Sequence, residues 1–133
     1  MFDVWFEDEN KEKQYCWQTS WGFTTRSIGV MVMLHSDNKG VILPPRVAQY
    51  QVVFIPIIHK ADDHQAIIGK VKEIAEMLKK TGIRVYIDDR DNYNPGWKFN
   101  HWELKGTPLR IELGKNDLAS QEVKVVRRDD GSK

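Results

Sequence analysis

Gln51-Val52-Val53-Phe54-Ile55-Pro56-Ile57-Ile58 is an apolar run with no charged residue, the pattern of a strand buried on both faces of a sheet. Downstream, from His64 to Lys80, Ile67, Ile68, Val71, Ile74, Ala75 and Leu78 recur at helical spacing with lysines and glutamates between them, and Gly82 closes that helix. Ile83-Arg84-Val85-Tyr86-Ile87 reads as a second strand, followed by a polar loop from Asp88 to Asn94. Pro95-Gly96 then leads into a shorter helix from about Trp97 to Lys105, stopped by Gly106. Pro108 to Leu113 and Glu122 to Val126 supply two more strands. The order β-α-β-α-β-β predicts an α/β fold, a mixed sheet with helices packed on it.

Upstream of that unit, aromatic and β-branched residues in Phe2–Phe6 and Gln14–Ser20, around the charged stretch Glu7 to Lys13, predict a β-hairpin. Thr24-Thr25 then cap a run from Arg26 to His35 that is apolar nearly all round a helical wheel, which predicts a helix buried on most sides. Ser36 to Gly40 is a turn, and Val41-Ile42-Leu43 a short strand stopped by Pro44-Pro45. The two prolines set the expected boundary: residues 1–44 on one side, a domain of residues 45–133 on the other. The chain stops at Arg127-Arg128-Asp129-Asp130-Gly131-Ser132-Lys133 with no closing element, which suggests a fragment.

A chain of 133 residues with 41% hydrophobic content can bury one real core. Its net charge of +1 argues against holding nucleic acid by bulk phosphate attraction, so any RNA contact should be local and shaped. Residues 1–44 carry four basic and six acidic side chains, and residues 45–133 carry sixteen and thirteen, so the second part suits RNA better. One cysteine, Cys16, and no metal-ligand spacing point to a reduced compartment without a zinc site. The N-terminus lacks the basic start and apolar stretch of a secretion signal, and no run is long enough to span a bilayer. A cytoplasmic, non-membrane protein is expected.

Two places could carry chemistry. In Gln18-Thr19-Ser20-Trp21-Gly22-Phe23-Thr24-Thr25-Arg26, a glycine at a strand end admits a ligand to the backbone, and Arg26 adds a cation at a helix N-terminus, where phosphate is a natural guest. The alternative is a surface arginine beside two capping threonines. In Asp88 to Glu103, Phe99 and Glu103 are four apart and share a helix face, pairing a ring that stacks on an unpaired base with a carboxylate that accepts guanine's two adjacent Watson–Crick donors. Arg110 on the next strand offers a complementary cation. The alternative here is that Phe99 and Trp102 are core, and that Asp88, Asp89 and Asp91 form a solvated turn with Arg90. Those aspartates lack the spacing and final glutamate of a calcium loop. His35, His59, His64 and His101 are scattered, with no nucleophile in a recognisable setting, so a catalytic histidine is not expected.

Three strings extend these readings: Gln18 to Val30, the linker Leu43-Pro44-Pro45-Arg46-Val47-Ala48, and Asp89-Arg90-Asp91-Asn92-Tyr93-Asn94-Pro95-Gly96-Trp97-Lys98-Phe99-Asn100-His101-Trp102-Glu103-Leu104-Lys105-Gly106. In this order they resemble prolyl-tRNA synthetase of the eukaryotic and archaeal type. The α/β anticodon-binding fold alone would be shared with the threonyl, glycyl and histidyl enzymes. The resemblance implies that residues 1–44 are the C-terminal strand-helix part of a class II catalytic domain's antiparallel sheet, carrying motif 3. Arg26 would be the catalytic arginine against ATP, and Ser20, Trp21 and Gly22 would line the ATP and proline pocket. It implies that residues 45–133 are an anticodon-binding domain, truncated at its end, in which Phe99, Glu103, Arg110 and Asp117 contact the two guanines of proline anticodons. The family usually has a basic residue just before that aspartate, where this chain has Asn116, with Lys115 one step earlier. ATP with magnesium, proline, proline tRNA and a homodimeric parent are implied. Motifs 1 and 2 and a zinc-binding extension would lie outside the chain, which alone should not form prolyl-adenylate. A borrowed RNA-binding module would have no use for an ATP-site motif, and a metabolite-binding α/β domain would need a glycine-rich phosphate loop that neither half contains.

Overall fold

The computed structural model describes residues 2–58 and 64–133, so His59 lies outside the described residues. Within them the chain divides into two compact units, Met1–Val30 and Met31–Lys133. In the first, β1 (Trp5–Glu7) and β2 (Lys13–Tyr15) pair antiparallel with Trp5 opposite Tyr15, which is the expected hairpin in shorter form. Its turn is organised by Asp8, whose Oδ1 accepts from the backbone N–H of Asn10 and of Glu12, both at 2.9 Å. Residues 16–24 form no strand, and α1 begins at Arg26 and runs to Leu34.

The expectation that this helix is buried on most sides is corrected: none of its residues is buried, and Ile28, Met33 and Leu34 are among the exposed large hydrophobics. The apolar run is helical, as expected, but burial is a property of neighbours, and the described residues supply too few of them. The expected turn and strand over 36–43 also differ, since β3 (Ser36–Asp37) pairs with β4 (Gly40–Val41) in a tight hairpin.

The second unit is the anticipated α/β arrangement. Strands β5 (Val52–Pro56), β6 (Val85–Ile87), β7 (Leu109–Leu113) and β8 (Lys124–Arg127) form one sheet in the order β6-β5-β7-β8, parallel except for β8. Helix α2 (His64–Lys80) matches the sequence expectation at both ends, and α3 (Pro95–Leu104) starts two residues earlier than expected. A third helix, α4 (Lys115–Ser120), stands where no element was expected. Successive residues of a strand point to opposite faces, so β5 separates two cores. Val52 and Phe54 meet Ile67, Val71 and Ala75 of α2 with Ile111 and Leu113 of β7, while Val53 and Ile55 meet Trp102 of α3. The central strand is therefore buried on both faces, the reason for its unbroken apolar run.

Two glycines seat the 36–43 stretch against α3. Gly106 has φ +71, and a Cβ there would stand 2.5 Å from the Val41 carbonyl oxygen; Gly40 has φ +134, with a Cβ only 2.6 Å from Leu104 Cα. Neither conformation nor space admits a side chain. Gly106→Ala is accordingly expected to cost about 2 kcal/mol or more, read as a lowered urea midpoint with m unchanged.

Candidate nucleic-acid interface

Helix α3 carries the interface, and its start is dictated by Asn94-Pro95-Gly96. Asn94 is extended (φ −73, ψ 159), its Oδ1 accepts from the Trp97 N–H at 2.8 Å, and Pro95 takes the first helical position, where its missing N–H costs nothing. With 3.6 residues per turn, the helix presents three stripes. Lys98 and Trp102 point into the sheet and are buried. Phe99 and Glu103 lie on one flank, and Trp97 and His101 on the other.

The first flank assembles three of the expected residues. Arg110 on β7 reaches up so that its guanidinium carbon stands 4.3 Å from the Phe99 ring centroid. Its Nη1 donates to Glu103 Oε1 at 3.0 Å, and its Nε donates to Glu112 Oε1 at 2.9 Å. Phe99 is half-buried against the second core cluster and Trp102 belongs to that core, so the core alternative holds for Trp102 while Phe99 keeps an accessible part. The result is a planar cation stacked on a ring beside a carboxylate whose position is already fixed.

Asp117 is not brought to this group. It sits at the third position of α4, where its Oδ2 accepts from the Gly114 N–H at 2.8 Å. It lines a cavity of about 450 Å³ with Lys70 and Ile74 of α2, on the sheet face opposite α3. Its observed role is to cap a short helix.

Beneath α3 lies a residue that sequence reasoning left as part of a solvated turn. Asp88 is 0% exposed. Trp102 Nε1 donates to its Oδ2 at 2.7 Å, Arg90 donates from Nε to Oδ1 at 2.8 Å and from Nη2 to Oδ2 at 2.7 Å, and Lys98 Nζ donates to its backbone oxygen at 3.1 Å. Burial pushes this carboxyl up, but the hydrogen bonds from Arg90 and Trp102 and the charges of Arg90 and Lys98 outweigh it and hold Asp88 below the usual carboxylate range. The pairing with Arg90 is local, but the enclosure is not, because Lys98 and Trp102 arrive from ten and fourteen residues away.

Arg128, also unmarked in the sequence, ties the 36–41 hairpin to the same helix. Its Nε donates to the Glu103 backbone oxygen at 2.9 Å, while Nη1 and Nη2 donate to the two carboxylate oxygens of Asp37 at 2.8 and 2.7 Å. Through these bonds Arg128 depresses the Asp37 carboxyl strongly.

The residues expected around ATP lie in the first unit. Arg26 opens α1 and is exposed, Ser20 and Gly22 are exposed, and Trp21 is 96% exposed. A Cβ on Gly22 would meet nothing within 4 Å, so this chain itself does not demand a glycine there. Among the described residues no group of His, Cys, Asp and Glu could hold a metal ion, and no helix is long and apolar enough to cross a membrane.

The family model described as "Anticodon binding domain" matches residues 51–133. Over 100% of its length the chain is 50% identical to a cytoplasmic proline–tRNA ligase of Arabidopsis thaliana, of which it spans 25%. It is 53% identical, again over its whole length, to the bifunctional glutamate/proline–tRNA ligase of Mus musculus, of which it spans 9%. The crystal structure of prolyl-tRNA synthetase from Cryptosporidium parvum complexed with halofuginone and AMPPNP superposes with a TM-score of 0.87 at 55% identity, covering 98% of this chain and 27% of that one. The chain belongs to the anticodon-binding domain family, and along its whole length it is built like a stretch of the proline–tRNA ligases.

Proposed function

We propose that the chain serves a proline–tRNA ligase, with residues 1–44 as the motif 3 end of the catalytic domain and residues 45–133 as the part that reads the anticodon. The observation that carries this reading is the group formed by Phe99, Glu103 and Arg110. Guanine presents two adjacent donors on its Watson–Crick edge, which a carboxylate accepts together, whereas adenine presents a ring acceptor there and would meet the carboxylate lone pair to lone pair. Arg110 holds Glu103 in place from one side and keeps its cation close to the RNA, and the Phe99 ring supplies the stacking surface. Asp117 stands apart from this group, so its contact to a guanine would have to be made from α4.

In the whole ligase the reaction joins proline to ATP as an adenylate and then to the tRNA terminal ribose. Arg26 and the open backbone at Gly22 fit a nucleotide in chemistry, one a cation for phosphate and the other an unobstructed approach, but the enclosure must come from residues outside this chain. The chain alone therefore has no means of forming the adenylate. ATP with magnesium, a homodimeric ligase and a cytoplasmic setting belong to the same proposal.

The test is binding of the chain to a proline-tRNA anticodon stem-loop at one fixed salt concentration, with the natural loop and one whose two guanines are adenines. The natural loop should bind more tightly by about 1–3 kcal/mol, the worth of a good bidentate base contact, and Glu103→Ala should erase most of that difference. Equal binding of both loops by the unsubstituted chain would sink the reading.

A further inference from the structure

We propose that the cleft on the β6 side of α3, walled by Tyr50, Tyr86 and Trp102 and edged by Arg90, His101 and Lys105, is a second RNA contact that takes one unpaired base and its phosphate without regard to sequence. It rests on the anticodon reading and extends it to the other flank of the same helix. Tyr50 and Tyr86 have centroids 5.0 Å apart, Tyr86 and Trp102 also 5.0 Å, and Tyr50 and Trp102 6.1 Å. Together with Gln49 these six residues line a cavity of about 200 Å³, smaller than the roughly 300 Å³ at which sites for drug-sized ligands begin and suited to one base or one phosphate.

Among the described residues no carboxylate lines this cleft. Arg90 donates to Asp88 from Nε and Nη2, and its Nη1 donates no hydrogen bond among the described residues. Lys105 Nζ stands 5.1 Å from the Trp102 ring centroid and has no ion pair among the described residues. Asp89 and Asp91 are exposed on the same turn as Arg90 but outside the lining.

From the mouth, a column of rings leads outward along α3. His101 stacks on Trp97 at 4.8 Å, and Trp97 on Tyr93 at 3.8 Å with planes 12° apart. Trp97 and Tyr93 remain 39% and 36% exposed, and the Arg90 guanidinium stands 5.0 and 5.2 Å from the Tyr93 and Trp97 centroids. Aromatic faces flanked by cations are the chemistry of sequence-tolerant single-strand binding. Bare phosphate would use the cations and ignore the rings. Burial, and then the charges of Lys105 and Arg90, lower the His101 pKa against the opposing charge of Asp88, which favours the neutral ring as a stacking surface.

The experiment repeats the two-loop titration with Lys105→Ala and Trp97→Ala across a salt series. Lys105→Ala should weaken both loops by the same factor and reduce the slope of log K against log salt by about 0.7, the value for one single-strand phosphate. Trp97→Ala should weaken both loops by about tenfold, with the preference for guanine intact. The His101 ring signals, followed by NMR, should titrate at higher pH in the bound state. If the unsubstituted chain prefers the natural loop and neither variant changes affinity or salt slope, the cleft proposal is overturned and the guanine reading survives. If both variants weaken binding but the loops bind equally, the cleft stands and the guanine reading fails. Absence of binding by the unsubstituted chain overturns both.

Discussion

Asp88→Ala is expected to lower the stability of the 31–133 unit by about 3 kcal/mol, because it leaves a buried indole N–H without its acceptor and removes the carboxylate charge that faces Arg90 and the buried Lys98, whose ammonium keeps only the backbone oxygen. Trp102 is 5% exposed and its indole cannot turn to water for a substitute acceptor. Arg90 is one-third exposed and can, so its share of the loss is discounted. At about 4–8 °C per kcal/mol for a domain of this size, the melting temperature should fall by about 12 °C or more. Asp88→Asn keeps an acceptor for the indole and loses only the charge, so it should lie between the two. A loss within about 0.5 kcal/mol, the range of an ordinary surface change, would show that the network contributes nothing net.

The same residue sets the sign of the acid response. Its folded pKa lies below its unfolded value of about 3.9, so its contribution is fully present above that value and is lost as pH falls through the folded pKa. Asp37, held down by Arg128, behaves alike. The native protein should lose stability steeply below about pH 4, and Asp88→Asn should flatten that limb while lowering the plateau. An unchanged acid limb in Asp88→Asn would mean that the carboxyl is no more acidic in the fold than out of it.

Much of this was legible in the residues, for identifiable reasons. Helix α2 has seventeen residues of amphipathic periodicity and a glycine with φ +84 just past its end, so its limits followed from the pattern. Helix α4, with six residues and no apolar stripe, offers no period to detect, and its capping role for Asp117 is not announced by the sequence. The Phe99–Glu103 pair was visible because both lie on one helix within a single turn, and Arg110 joined it because the next strand runs directly beneath. Asp88 and Arg128 were invisible for the opposite reason. Asp88 pairs with nearby Arg90 but is enclosed by Lys98 and Trp102 from ten and fourteen residues on, and in Arg128 the bonds to Asp37 reach across 91 residues. Charged residues in polar stretches read as solvated by default, and only packing shows which of them is enclosed. The Trp97–His101 stack had the right spacing all along, but the exposure of those rings depends on where the helix sits on the sheet.

Arg110→Ala should act on stability and on recognition at once, and the two effects are separable. Glu112 has a side chain only 8% exposed and takes its charge-assisted hydrogen bond from Arg110, so removal of the cation strands a buried carboxylate at a cost of about 3 kcal/mol or more. Adding Glu112→Gln removes that stranded charge, and the double variant should regain a large part of the lost stability, a coupling measurable as a double-mutant cycle in urea. Recognition should not return with it. Glu103 would have lost the guanidinium that holds its Oε1, and Phe99 the cation stacked on its ring, so the double variant should discriminate guanine from adenine loops about as poorly as Arg110→Ala itself. A well-folded double variant that still preferred the natural loop would place Arg110 among the supports of the sheet and outside the reading of bases.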